Sequence, residues 1–220
     1  MSATITKLTP TSLGALLCAR ICHDLISPVG ALATAVEILD DESNSEMHED
    51  ALDLVRNSSR QAGAKLRYLR LALGAGGSAP GIIGIEELKT LTTDMYGEGK
   101  ASIEWAAALT GLEKNAARSL LNLIMLAVQA IPRGGNLVIS VNETPELSQL
   151  SLAATGPKAR LDAAIAATLA GKAPQDGFDG RTIQPFYTGL IIRELKGTVS
   201  ADIEGETVTI QASLPKAPMA

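Results

Sequence analysis

From Leu13 to Leu39 the apolar residues return at alternating steps of three and four. This puts Cys18, Ile21, Leu25, Pro28, Leu32, Ala35 and Leu39 on one inward line. The spacing predicts one long helix. The acidic stretch Asp40-Asp41-Glu42 follows, and beyond it Ser43 and Glu46 have capping-box spacing, which satisfies free amides at a helix start. A tight hairpin is expected there, leading into a second helix with Leu52, Val55, Ser59, Ala62, Leu66, Leu69 and Leu73 inward. The run Gly74-Ala75-Gly76-Gly77-Ser78-Ala79-Pro80-Gly81 ends the pattern as a linker. Residues 1–77 therefore read as a helical domain and 78–220 as a second one. Two helices alone leave a groove with no third or fourth partner, so dimerisation into an intermolecular four-helix bundle is expected.

Beyond the linker the periodicity switches repeatedly. It predicts helices at Ile82–Tyr96, Leu112–Ile131, Ala159–Leu169 and Gln184–Leu195, and strands at Ala101–Leu109, Asn136–Asn142 and Leu147–Ala153. A final hairpin of Gly197–Ile203 and Thr207–Leu214 turns at Glu204-Gly205-Glu206. The second domain is thus an α/β sandwich and the whole chain α plus α/β. A hydrophobic content of 46% in 220 residues supplies two cores. The net charge of −5 argues against nucleic acid and anionic membrane as partners. Pro10 and Arg20 interrupt the apolar N-terminal stretch, which reads as neither a signal peptide nor a membrane span. A cytoplasmic location is expected. Cys18 and Cys22, four apart on one helix, read as reduced thiols.

On this helical pattern His23 lies opposite the inward line, exposed, with the small residues Ala19, Ser27 and Gly30 on the same face. An exposed ring with open space around it suits a nucleophile that another protein must approach. Pro28, mid-helix, removes a backbone donor and frees the carbonyl of Asp24 at a cost of about 3 kcal/mol. Asp24 is placed to accept from the ring nitrogen not used in chemistry, fixing the tautomer. A helical return from a turn near residue 43 brings residues 61–63 level with His23. Arg20, Arg60, Lys65 and Arg67 would then form a basic rim; the alternative is that their stems merely cover apolar surface. His48, among acids at the hairpin end, reads as solvated.

The segment His23-Asp24-Leu25-Ile26-Ser27-Pro28 resembles the H-box of histidine kinases. The longer stretch from Leu17 to Pro28 looks like the start of ChpT-type histidine phosphotransferases. The resemblance implies a kinase-like dimerisation hairpin (DHp-like) followed by a degenerate ATPase-like sandwich of the Bergerat, or GHKL-like, kind. By the same resemblance, His23 is phosphorylated and Asp24 orients it, while Arg20, Ser27, Pro28, Gly30, Arg60, Lys65 and Arg67 meet a partner. The kinase nucleotide motifs fail here. Asn122 is kept, but Leu126 stands where magnesium needs oxygen. Ala154 replaces the adenine-binding aspartate, Lys158 the second glycine, and Phe186 crowds the phosphate loop. The implied chain binds no ATP, has no cofactor and no metal ligands, and relies on Mg2+ held by its partner. The implied partners are a second copy, the receiver domain of a CckA-like hybrid kinase, and CtrA-like and CpdR-like response regulators. An ATP-dependent kinase and a non-catalytic receiver-binding adaptor remain as alternatives. The Cys18, Cys22, His23 grouping, superficially like a stretched haem-attachment motif, would need an export signal.

Overall fold

The computed structural model describes residues 5–74 and 81–216. Helix α1 spans Pro10–Asp40; Thr9 caps it by accepting from the Ser12 amide at 3.1 Å, and proline occupies the first turn, where no donor is missed. Helix α2 spans His48–Ala72 and returns antiparallel against α1. The linker residues 75–80, and with them the boundary at 77 and 78, lie outside the described residues.

Two details of the hairpin depart from the sequence reading. The second helix does not begin at Ser43: Glu42–Met47 forms a 3-10 turn, and α2 begins only at His48, without a side-chain cap; the side chain of Ser43, and with it the expected capping box, lies outside what the structure describes. His48 is consequently half-buried at that first turn, its Nε2 out of reach of solvent, rather than solvated.

The α2 seam is also rotated. Val55, Ala62 and Leu69 face inward as expected, but Ala51, Ser58, Lys65 and Ala72 complete the line. Leu52, Ser59 and Leu66 are exposed instead. Small side chains at the contact let the helix axes approach, and the bulky leucines are left outside. Cys18, expected inward, is an exposed free thiol like Cys22. Leu13, Leu17 and Ile21 take the buried side there, because the N-terminal half of α1 meets the second domain's core as well as α2.

The second domain follows the expected order closely. Its elements are β1 (Ile82–Gly84), α3 (Ile85–Tyr96), β2 (Ala101–Ala106), β3 (Gly111–Glu113), α4 (Lys114–Ala130), β4 (Gly135–Glu143), β5 (Leu147–Thr155), α5 (Ala163–Leu169), α6 (Ile183–Glu194), β6 (Thr198–Glu204) and β7 (Thr207–Pro215). The main sheet runs β2-β4-β5-β7-β6, with only the β2–β4 pair parallel. Ile139, Leu152 and Ile210 stand side by side across three strands on its buried face. The short β1–β3 pair was not legible in the sequence, since three-residue strands carry no periodicity.

Every residue of α4 from Ser119 to Ala127 is buried, so this helix is enclosed by the sheet on one side and by helices on the other. One of those helices is α2. Tyr68, Leu69 and Ala72 join the same core as α4 and the sheet, and the Tyr68 hydroxyl donates to the Leu121 carbonyl at 2.8 Å. The Tyr68 ring meets Tyr96 edge-on at 5.7 Å.

Burial pushes the Tyr68 and Tyr96 phenols above their ordinary value of about 10. Their stabilisation is therefore intact below about pH 10 and is lost as the pH rises through the raised values. Removing the buried hydroxyl with Tyr68→Phe is predicted to cost about 1 kcal/mol near neutrality in a denaturant melt. In an alkaline titration of the wild type, tyrosinate absorbance is predicted to lag the ordinary tyrosine curve and to rise together with loss of structure.

Candidate functional site

His23 projects from α1 opposite the seam, with its side chain 79% exposed. Its Nδ1 lies 3.3 Å from Asp24 Oδ1. The other carboxylate oxygen accepts from Arg20 Nε at 2.8 Å, and Arg20 Nη1 donates to the Gly180 carbonyl at 2.8 Å. Asp24 and Arg20 are both largely covered, at 14% and 11% exposure, so this pair is held in place rather than swinging in water. A chain of contacts thus runs from the exposed imidazole through a carboxylate and a guanidinium to the backbone of the second domain.

Pro28 lies in the seam, buried. It has no amide hydrogen to give the Asp24 carbonyl one turn earlier, and Lys65 Nζ of α2 donates to that carbonyl at 2.9 Å instead. The vacancy in the helix ladder therefore becomes a cross-link between the two helices beneath His23.

These contacts change the expected basic rim. Arg20 and Lys65 are engaged internally as just described. Arg60 bonds Glu98 at 2.7 Å and Asn57 at 3.0 Å, and Arg67 bonds Asp94 at 3.0 Å. Each of the four expected rim cations thus has a partner within the chain, Arg60 and Arg67 because α3 and the turn after it bring acids alongside α2. Pro28, also expected at the partner face, is inside the hairpin. Ser27 and Gly30 are exposed, and the position of a Cβ on Gly30 meets nothing within 4 Å, so the approach to His23 is open on that side.

The other side is a cleft of about 690 Å³ lined by His23, Arg20, Gln129, Pro132, Arg160, Asp179, Gly180 and Arg181. Arg160 and Arg181, which the sequence reading missed, give it a positive wall. They lie far along the chain, and only tertiary packing carries them to His23. Arg181 Nη2 also forms an exposed ion pair with Asp162 Oδ2 at 3.6 Å. Asp179 shapes the wall: its Oδ1 accepts from the Thr182 amide at 2.8 Å, the Thr182 hydroxyl and the Arg181 amide, while the Asp179 amide donates back to Thr182 Oγ1 at 2.9 Å. The Asp-x-x-Thr spacing ahead of a helix is a signal for such a box that the sequence reading did not use, and its place beside His23 carries no local signal. The Thr182 hydroxyl above all, and then the backbone donors, hold the Asp179 carboxyl below its ordinary value.

The positions of the kinase nucleotide motifs are filled from within. Leu126 and Ala154 are buried, the latter between Leu137 and Val208 of the neighbouring strands. Phe186 is buried edge-on against Phe178, with ring centroids 4.7 Å apart. A hollow beside Leu126, between Leu161, Ile165, Val208 and their neighbours, measures about 60 Å³, against roughly 300 Å³ or more for a ligand pocket. Lys158 keeps a left-handed backbone, φ 59°, at the place of a kinase glycine. Asn122 is buried, with its amide committed to protein carbonyls. Among the described residues, no three His, Cys, Asp or Glu side chains are grouped to hold a metal ion.

Comparison with known proteins agrees with this architecture. The family described as "Histidine phosphotransferase C-terminal domain" matches residues 85–207. Protein phosphotransferase ChpT of Brucella abortus (strain 2308) is 34% identical over 212 residues, covering 96% of this chain and all of that protein. A solved structure of a bacterial phosphotransferase superposes with a TM-score of 0.84 at 31% identity, covering 95% of this chain and all of that one.

Replacing Asp179 with alanine is predicted to cost about 1 kcal/mol at neutral pH. Because its carboxyl is held low in the fold, this stabilisation is present above about pH 4 and is lost as the pH falls through the lowered value. Denaturant melts of both proteins should therefore differ near neutrality and converge in acid.

Proposed function

Because this chain belongs to the histidine phosphotransferase family, we propose that His23 is the residue that carries the phosphoryl group. It takes the group from the aspartyl phosphate of one receiver domain and passes it to the aspartate of another. The supporting observation is the geometry of the ring: Nδ1 faces a carboxylate fixed by Arg20, which leaves Nε2 for chemistry on a ring that lines the cleft. With the proton on Nδ1, the Nε2 lone pair is free for attack.

In the forward step Nε2 attacks phosphorus in line as the bond to the aspartyl oxygen breaks. The aspartate leaves as its carboxylate, and a phosphorus–nitrogen bond forms. Positive charge growing on the imidazole is stabilised by Asp24, in the way a buried acid supports a catalytic histidine. The second transfer runs the same events in reverse onto a new carboxylate. The transferring group spreads its charge over three oxygens, and such reactions are catalysed mainly by position and electrostatics. Arg160 and Arg181 supply positive charge on the wall facing His23, and Ser27 and Gly30 leave room for the receiver. Magnesium belongs to the receiver's acidic pocket.

The filled nucleotide positions support a chain that is charged by protein donors rather than by ATP. A hybrid-kinase receiver as donor and response regulators as acceptors, of CckA-like and of CtrA-like or CpdR-like type, fit this role in the cytoplasm. The homodimer is supported by an open stripe. Ile26, Val29 and Val36 of α1 and Leu52 and Leu66 of α2 are large apolar side chains left exposed on the hairpin, with Ile26 at 72%. A second hairpin laid on this stripe completes a four-helix bundle.

Incubation with a labelled, phosphorylated receiver is predicted to move label to the wild type and not to His23→Ala; equal labelling of both would remove His23 as carrier. Asp24→Asn is predicted to slow transfer by up to about 100-fold through loss of ring orientation. ATP titration should give no saturable binding, and label reaching His23 from ATP alone would overturn the relay reading. Leu66→Glu is predicted to shift sedimentation from dimer to monomer.

A further inference from the structure

The last carbonyls of a helix have no partner within it. At the end of α2 they are met by side chains of the second domain. Asn122 of α4 donates from Nδ2 to the Ala72 carbonyl at 2.6 Å and to the Arg118 carbonyl at 2.9 Å. Its own Oδ1 and carbonyl accept from Gln184 Nε2 at 3.2 and 3.0 Å, and Gln184 is braced by Thr188 Oγ1 at 3.1 Å. The Tyr187 hydroxyl donates to the Leu73 carbonyl at 3.0 Å. Arg118 reaches the same oxygen at 3.4 Å, with its guanidinium 5.2 Å above the Tyr187 ring. Asn122, Gln184 and Thr188 are all buried, where an unmade polar contact is most costly.

The two helices that form this clamp also carry the cleft wall. Gly180 and Arg181 lie on the turn that runs straight into Gln184 and Tyr187 of α6. Gln129 lies two turns beyond Asn122 near the end of α4, and Pro132 lies just past that end. Fixing these helices against α2 fixes the wall over His23, and the Arg20 bond to Gly180 closes the same arrangement from the α1 side.

We infer that Asn122 is a positioning residue for phosphotransfer. With Gln184 and Tyr187 it caps α2 and sets the second domain at one angle to the hairpin, so that Arg181 and Arg160 stand beside His23 before a receiver arrives. The inference rests on the reading of His23 as carrier. It gives the one asparagine retained from the kinase pattern a task unrelated to nucleotide: a clamp in place of a metal ligand. The docking geometry is then already formed at encounter, which lowers the entropic cost of assembling it around the receiver.

The test compares two phosphoryl donors. Phosphoramidate is small and needs only the imidazole, whereas a phosphorylated receiver needs the cleft wall. Asn122→Leu removes the clamp's donors at similar volume, and Tyr187→Phe removes one hydroxyl without leaving space, so it remains informative if the first variant does not fold. With folding checked by thermal melts, each variant is expected to accept phosphate from phosphoramidate at the wild-type rate. From the receiver, kcat/KM is expected to fall about tenfold, chiefly through KM. Equal losses with both donors, or no loss with either, would overturn the inference. Failure of the wild type to take label from the receiver would instead sink the carrier reading beneath it.

Discussion

Tyr68, Leu69 and Ala72 belong to the helical hairpin by sequence and to the core of the sandwich by packing. This shared burial is the constraint on which the site depends. A hairpin joined to the sandwich only through a glycine-rich linker would leave His23 without a second wall, and Gly180 beyond the reach of Arg20. Because the final turns of α2 are enclosed by α4 and its neighbours, the histidine on α1 acquires a fixed opposite face drawn from residues more than a hundred positions away.

The element order was legible because long amphipathic helices and alternating strands carry strong periodic signals. The H-box was legible because a histidine, an acid and a proline at fixed spacing have few other uses together. What escaped the sequence was set by partners that no local pattern records. The α2 seam shifted by one residue on alternate turns because Ala51, Ser58 and Ala72 pack closer than Leu52 and Leu66 can, although the leucines score higher by hydrophobicity. That Arg60 and Arg67 of the expected rim are paired within the chain escaped the sequence because their acids, Glu98 and Asp94, lie across the fold. Arg160 and Arg181 were missed for the complementary reason: nothing beside them in the chain marks them as neighbours of His23.

Pro28 illustrates how a local cost can serve a tertiary purpose. Its missing amide hydrogen would destabilise a solitary helix, yet here the orphaned Asp24 carbonyl receives Lys65, so the same residue whose side chain faces His23 has its backbone tied to α2. Asp24 is thereby fixed at both ends, and the orientation it gives the imidazole follows from the hairpin's packing rather than from the side chain alone.

The cleft wall of Arg160 and Arg181 sits on a chain whose net charge is −5. Beyond a Debye length of about 8 Å most of that charge is screened, and at closer range the acidic receiver proposed above would be drawn to the cleft wall and held off by the acidic stretches elsewhere. Encounters in the wrong orientation are then short-lived, and those that bring an acidic pocket to the cleft are prolonged. On the proposed function, the negative remainder of the molecule would work as a filter on orientation, making the productive approach selective through the unproductive ones it discourages.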